Sequence, residues 1–183
     1  SHSWADSRNS KVFDDLMIIG IAESEQNRRA YESYFVESLN KEGVEAEASY
    51  RLLKQGDKIE RKTVEKAIEG TGIQAVITTH LVSIDEETVY RPTVSYMPVY
   101  GTGYYGGLYS YYPHVNTYVS QPGYYTTHET VTLETNLYDV ETAELVYSAR
   151  SRTFAPESVD EIIVDLTGLL IKDMQEKGLI ARK

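Results

Sequence analysis

Apolar residues recur along this chain at strand spacing in five places and at helical spacing in three. Leu16-Met17-Ile18-Ile19-Gly20-Ile21-Ala22 is apolar throughout, the pattern of a strand covered on both faces. Ser24 follows where an N-cap is needed. Ala30, Tyr31, Tyr34, Phe35 and Leu39 then form one stripe of a helix that Gly43 stops. Val44–Tyr50 reads as a short second strand, and Lys58–Gly70 as a second helix with Ile59, Val64, Ala67 and Ile68 inward. Ile73–Ile84 carries apolar residues on both faces and reads as a central third strand. Three strands alternating with two helices make a β-α-β-α-β unit with right-handed crossovers.

Past Thr130 the period falls to two. Val131, Leu133, Thr135 and Leu137 alternate with Thr132, Glu134 and Asn136, then Glu141–Glu144 supplies a turn and Leu145–Phe154 the return strand. Ser158 and Glu161 have the spacing of a capping box. The last helix follows, with Val159, Ile162, Ile163, Leu166, Leu169, Leu170 and Met174 on its apolar face, and ends at Gly178. The pattern predicts an α/β domain over 11–183. Its mixed sheet has about five strands in the order 2-1-3-4-5, strands 3, 4 and 5 being antiparallel neighbours, with three helices packed on it. Residues 1–10 are polar apart from Trp4 and read as a leader or linker able to fold back onto the domain.

The connection between strands 3 and 4 does not fit this frame. Such connections usually take about 2–5 residues, and very long ones are usually functional or disordered. Here the stretch 92–128 contains no Asp, Glu, Lys or Arg and holds ten of the sixteen tyrosines. Tyrosine offers a large amphipathic surface at low side-chain entropy cost, which is why Tyr, Ser and Gly dominate recognition loops. The segment is expected to bind a partner, with Tyr104, Tyr105, Tyr109, Tyr111, Tyr112 and Tyr118 as its contact residues. The alternative is a purely structural segment, zipped into a β-arm or covering a sheet edge.

Composition narrows the partner. The net charge of −10 and the scatter of the 18 Lys and Arg residues argue against nucleic acid and against a polybasic membrane patch. With no cysteine, thiolate chemistry, disulfides and Cys-type zinc sites are excluded. No run reaches the length of a transmembrane helix. Ser1-His2-Ser3 reads as an expression scar, so a targeting segment removed upstream fits the sequence.

Motifs with chemistry attached give little. Gly101-Thr102-Gly103-Tyr104-Tyr105-Gly106 has the letters of a dinucleotide loop but leads into no helix, so its glycines cannot bring a helix N-terminus to a pyrophosphate. Ser38-Leu39-Asn40-Lys41 has the spacing of a penicillin-interacting serine enzyme without its partner motifs. His2, His80, His114 and His128 show no metal-ligand spacing, and no metal or cofactor is expected. Arg150 and Arg152 share a strand face and are expected to pair with Glu134. Asp85-Glu86-Glu87, just after the third strand, with His80 or His128, is the one arrangement that suits a hydrolase-type acid–base site; the non-enzymatic reading is preferred, with no catalytic residue assigned.

Ser3-Trp4-Ala5-Asp6, Lys11-Val12-Phe13 through Ile18-Ile19-Gly20-Ile21, Gly72–Leu81, and Glu134–Asp139 with Leu145-Val146-Tyr147-Ser148 together resemble a group of bacterial envelope lipoproteins of unassigned function. The fold also resembles the N-terminal domain of TolB and the periplasmic domains of peptidoglycan-synthase activators, which are binding modules. The resemblance implies a periplasmic domain anchored to the outer membrane by an N-terminal lipid, touching the membrane only through that anchor. It implies binding of an envelope protein, a second copy or a glycan such as peptidoglycan. The lipidated cysteine of that group is absent from this sequence.

Overall fold

A computed structural model describes residues 2–54, 56–57, 60–91, 98–100 and 124–183. Its strands are β1 (His2–Ala5), β2 (Asp15–Ile21), β3 (Glu45–Ala48), β4 (Ala75–Arg91), β5 (Pro98–Tyr100), β6 (Tyr124–Asp139) and β7 (Leu145–Phe154). The helices are α1 (Glu25–Lys41), α2 (Ser49–Leu52), α3 (Arg61–Ile68) and α4 (Val159–Glu176). One mixed sheet runs β1-β7-β6-β4-β2-β3, with β5 added to β4. β2 lies parallel to β3 and β4, and every other pairing is antiparallel.

The expected strand order holds for the five strands read from the sequence. The structure adds β1 at the edge, β5, and the one-turn α2. α1 and α4 cover one face, where Leu16, Ile18, Ile77, Leu133, Leu137 and Tyr147 meet Phe35, Leu39, Leu166 and Leu170. α3 covers the other face only over β2 and β4, where Met17, Ile19 and Val76 meet Ile68 and Val64. β2 and the start of β4 are thus apolar on both sides because helices lie on both sides.

Several boundaries move for physical reasons. β4 continues past Ile84 to Arg91 and β6 starts at Tyr124, because a strand needs a pairing partner and not an apolar run. Part of the 92–128 stretch is therefore strand, in Pro98–Tyr100 and Tyr124–His128. The second strand stops at Ala48, where Ser49 and Tyr50 turn into α2. The second helix is shorter than read, and Ile59 lies outside the described residues. At the margin of α4, Leu169 is exposed while Thr167 and Ile171 are buried in its stead. The capping box is half made: Ser158 accepts from Glu161 N at 3.1 Å, but Glu161 takes the N–H of Glu157.

The stripe on α1 is also rotated. Tyr31, Phe35 and Leu39 point inward as expected, but Ala30 and Tyr34 are exposed. Glu32 is buried in their place, at 0% exposure. Its carboxylate accepts from Gly20 N (2.9 Å), Ser49 Oγ (2.8 Å), Tyr50 N (2.9 Å) and Arg28 Nε (2.9 Å). Buried charge is tolerable only when paired and fully hydrogen-bonded, and both oxygens here are. Gly20 is needed beside it, since a Cβ there would stand 2.9 Å from the Tyr31 ring. The Tyr31 hydroxyl meets Thr79 Oγ1, which in turn meets Thr135 Oγ1 at 2.8 Å.

Under α4, the buried Tyr147 hydroxyl donates to Asp173 Oδ2 at 2.7 Å. Burial, then that carboxylate, pushes the Tyr147 phenol far up. Burial alone would raise Asp173, but hydrogen bonds from Tyr147, Ser3 and Lys177 together outweigh it and hold the carboxyl below the usual aspartate value.

Two tests follow from these contacts. Glu32→Ala strands buried donors and an arginine, and should cost about 3–5 kcal/mol, seen in thermal denaturation as a drop of about 10 °C; Glu25→Ala, on the surface of the same helix, should move the midpoint by about 1 °C or less. Asp173 titrates lower folded than unfolded, so its stabilisation is complete above the ordinary aspartate value and disappears as pH falls through the folded one. Urea midpoints between about pH 5 and 2 should accordingly fall less steeply for Asp173→Asn than for the parent chain; parallel slopes would contradict this assignment.

Candidate functional site

Among the described residues, two surfaces are left without a covering element. The first is the arm. β2 ends where Ile21 pairs with His80, and β7 ends where Phe154 pairs with Thr130. β4 and β6 run on together to Arg91–Tyr124, about 20 Å beyond the end of β7 at strand rise. β5 lies along the edge of β4 that β2 has vacated, with Pro98 opposite Val89 and Tyr100 opposite Glu87. The chain between residues 100 and 124 thus departs from, and returns to, a three-stranded projection. Tyr104, Tyr105, Tyr109, Tyr111, Tyr112 and Tyr118 fall outside the described residues, as do the Gly101–Gly106 motif and His114.

The acidic run sits differently from its sequence reading. Asp85, Glu86 and Glu87 lie within β4, not after it, opposite Thr130, Glu129 and His128. Asp85 and Glu87 share one face and are exposed, so neither is the desolvated carboxylate an acid–base pair needs. His80 is opposite Glu134 and His128 opposite Glu87, which separates the two imidazoles by about 20 Å along the ribbon. The His128 ring stacks on Phe154, with centroids 5.7 Å apart. Ser38 gives its hydroxyl to Tyr34 O at 2.8 Å and Lys41 pairs with Glu37 at 3.2 Å, so both are engaged within α1. Among the described residues no cluster of His, Asp and Glu has the makings of a metal site.

The second surface is the sheet face opposite α1 and α4. Two adjacent rows cross five strands, from β1 to β2, and the last of these lies under α3. One runs Trp4, Ser148, Asn136, Thr78 and Ile19; the other runs His2, Arg150, Glu134, His80 and Ile21. Glu134 is the hub: it accepts from Arg150 Nε at 3.2 Å and from Asn136 Nδ2 at 3.4 Å, and His80 Nε2 stands 3.6 Å away. Ser148 Oγ donates to Asn136 Oδ1 at 2.6 Å. The expected Arg150–Glu134 pair is therefore present, while Arg152 pairs in register with Thr132. Trp4 is 51% exposed at one end of this face. At the other end the face enters a cleft of about 470 Å³ beneath α3, lined by Val64, Ile68, Val76 and Tyr138, by His80 and Asn136, and by the charged Glu60, Arg61, Glu65 and Asp139.

Sequence reading took Trp4 as part of a leader. The signal was there in the alternation His2-Ser3-Trp4-Ala5, whose Ser3 bonds Asp173 on the helix side while Trp4 lies opposite. Its partner, β7, is remote in sequence, and no local pattern points to that pairing.

No protein-family profile matches the chain, and no curated relative does. Solved structures do. The PelC dodecamer from Paraburkholderia phytofirmans, in two space groups, aligns at a TM-score of 0.50 and 11% identity; the alignments cover 95% and 93% of this chain and 97% and 94% of PelC. Lipoprotein GNA1162 from Neisseria meningitidis aligns at a TM-score of 0.42 and 9% identity, over 88% of this chain and 96% of that one. At such identity, the PelC alignments establish a shared fold and nothing further.

Cooperative stability should divide β4. Amide exchange at Val76–His80, flanked by β2 and β6 in the core sheet, should be slower by about a thousandfold or more than at Glu86–Val89 in the arm, where the neighbours are β6 and the three-residue β5. Equal protection along the strand, measured by hydrogen–deuterium exchange, would show that the arm is part of the core unit.

Proposed function

We propose that this chain is a non-catalytic recognition domain of the bacterial cell envelope that binds through the tyrosine-rich segment, with Tyr104, Tyr105, Tyr109, Tyr111, Tyr112 and Tyr118 as contacts. The observation that carries the reading is the arm: β4 and β6 outrun both neighbouring strands, and the stretch that joins them in sequence is uncharged and aromatic. Loops held on a rigid scaffold are where binding residues concentrate. Tyr-, Ser- and Gly-rich loops bind through large faces with little entropy to lose.

Among an envelope protein, a glycan and a second copy, the second copy has the most support. A structure of the same fold is a dodecamer, and an uncharged aromatic segment avoids the repulsion that a net charge of −10 imposes on two copies. A periplasmic location with an N-terminal lipid anchor in the outer membrane belongs to the same reading. β5, which covers part of the free edge of β4, supports a structural share for the beginning of the segment as well.

Sedimentation velocity tests the proposal. The parent chain should sediment as an oligomer. A variant with Tyr104, Tyr105, Tyr109, Tyr111 and Tyr112 changed to Ser should sediment as a monomer while its melting temperature moves by no more than about 2 °C. A monomeric parent chain, or a variant that still assembles, overturns it.

A further inference from the structure

We infer that the basic groove between α2 and α3 is a docking site for α4 of a second copy of the chain, joined head to tail. The inference rests on the reading that the partner is a second copy, and adds a surface separate from the tyrosine segment. Charge is spread unevenly along the chain. Six of the eighteen basic residues fall between Arg51 and Lys66, against three acidic ones, which leaves a balance of −13 for the rest. Arg51 and Arg61 are paired one turn away, with Glu47 at 3.9 Å and Glu65 at 2.7 Å. Lys54, Lys62 and Lys66 are exposed, have no carboxylate partner among the described residues, and line one groove of about 560 Å³. With 28 Asp and Glu residues in the chain, three lysines that share a groove and no carboxylate make an electropositive site. Asp57 is the one acidic residue in the lining, and its Oδ2 accepts Lys54 N at 2.8 Å. The lining is otherwise largely apolar: Leu53 is buried, with Leu52 and Ala67 half-buried beside it.

Such a groove fits carboxylates set around an apolar strip, and α4 presents them. Its exposed residues, glycine apart, are Asp160, Val164, Asp165, Leu169, Lys172 and Glu176. Val164 is 46% and Leu169 44% exposed, and Asp160, Asp165 and Glu176 have no cationic partner among the described residues. Three carboxylates against Lys172 give this helix face −2, and three lysines against Asp57 give the groove +2. An apolar centre with a polar rim is the usual anatomy of a protein contact, and an amphipathic helix in a groove is a recurrent form of it. The arm also shows exposed Asp85 and Glu87, near Phe154, but Arg152 is exposed and unpaired among the described residues on that same sheet face and reduces its charge. α4 and α3 cover opposite faces of the sheet, so α4 does not meet the groove of its own chain. The contact is therefore heterologous: each copy gives its helix to one neighbour and its groove to another.

Charge reversal read by sedimentation velocity at low salt tests the docking. Lys62→Glu with Lys66→Glu should weaken assembly of the parent chain by about tenfold or more, and so should Asp165→Lys with Glu176→Lys. All four positions are exposed, so melting temperatures should stay within about 2 °C of the parent. Mixing the two double variants should restore assembly, because each groove then meets a helix of opposite charge. Asp85→Lys with Glu87→Lys should assemble like the parent. The inference is overturned by undiminished assembly of the lysine-reversed chain, by a mixture that stays dissociated, or by dissociation of the arm variant instead. If the lysine-reversed chain assembles while the five-tyrosine variant is monomeric, this site is wrong and the tyrosine segment stands. The opposite pattern strikes the tyrosine segment and keeps the groove, and a monomeric parent chain overturns both.

Discussion

The carboxylate of Glu32 organises the junction on which both open surfaces depend. It takes the N–H of Gly20 near the end of β2, the hydroxyl of Ser49 and the N–H of Tyr50 in α2, and the guanidinium of Arg28 one turn back on α1. Two segments remote in sequence, β2 and α2, are tied to α1 by one buried side chain. Removing water from an ion is costly, and the fold offsets that cost only by keeping every one of these donors in place. The contact therefore specifies as well as stabilises. A β2 that ran on as strand, or a β3 that continued past Ala48, would leave the charge unsatisfied.

From that junction the layout of the sheet follows. Since β2 turns into α1 just after Ile21, the edge of β4 beyond His80 has no parallel neighbour. β5 uses that edge, and β4 with β6 is free to extend as a ribbon. On the reverse side, α3 packs only over β2 and β4, and Trp4, Glu134 and Arg150 on the rows across β1, β6 and β7 keep solvent contact. The arm is a product of short neighbouring strands beside long ones.

How much of this was legible in the sequence depends on the range of each interaction. The core strands and their order could be read because burial imposes a local period, and Ser24, Gly43 and Ser158 mark helix ends by local chemistry. Glu32 could not be read: on a helix, a glutamate among charged neighbours is ordinarily solvated, and its donors come from residues 20, 49 and 50. The same holds for Trp4, whose strand exists only by pairing with β7, and for the reach of β4 past Ile84, where the apolar period has ended but pairing has not. Of the candidate site, sequence located the unusual segment. The projection that carries it and the polar rows on the sheet came only with register.

The two ends of the described chain close on each other. β1 pairs with β7, the N–H of Phe13 bonds Leu179 O at 2.8 Å, and Phe13 forms a parallel bridge with Ile180. During synthesis the stretch around Phe13 leaves the ribosome long before its partners exist. The stretch around Phe13 is thus among the last to find its place, since its burial to 1% exposure waits for residues beyond the final helix. This closing contact joins stretches remote in sequence, so it can form only once Leu179 and Ile180 have been made.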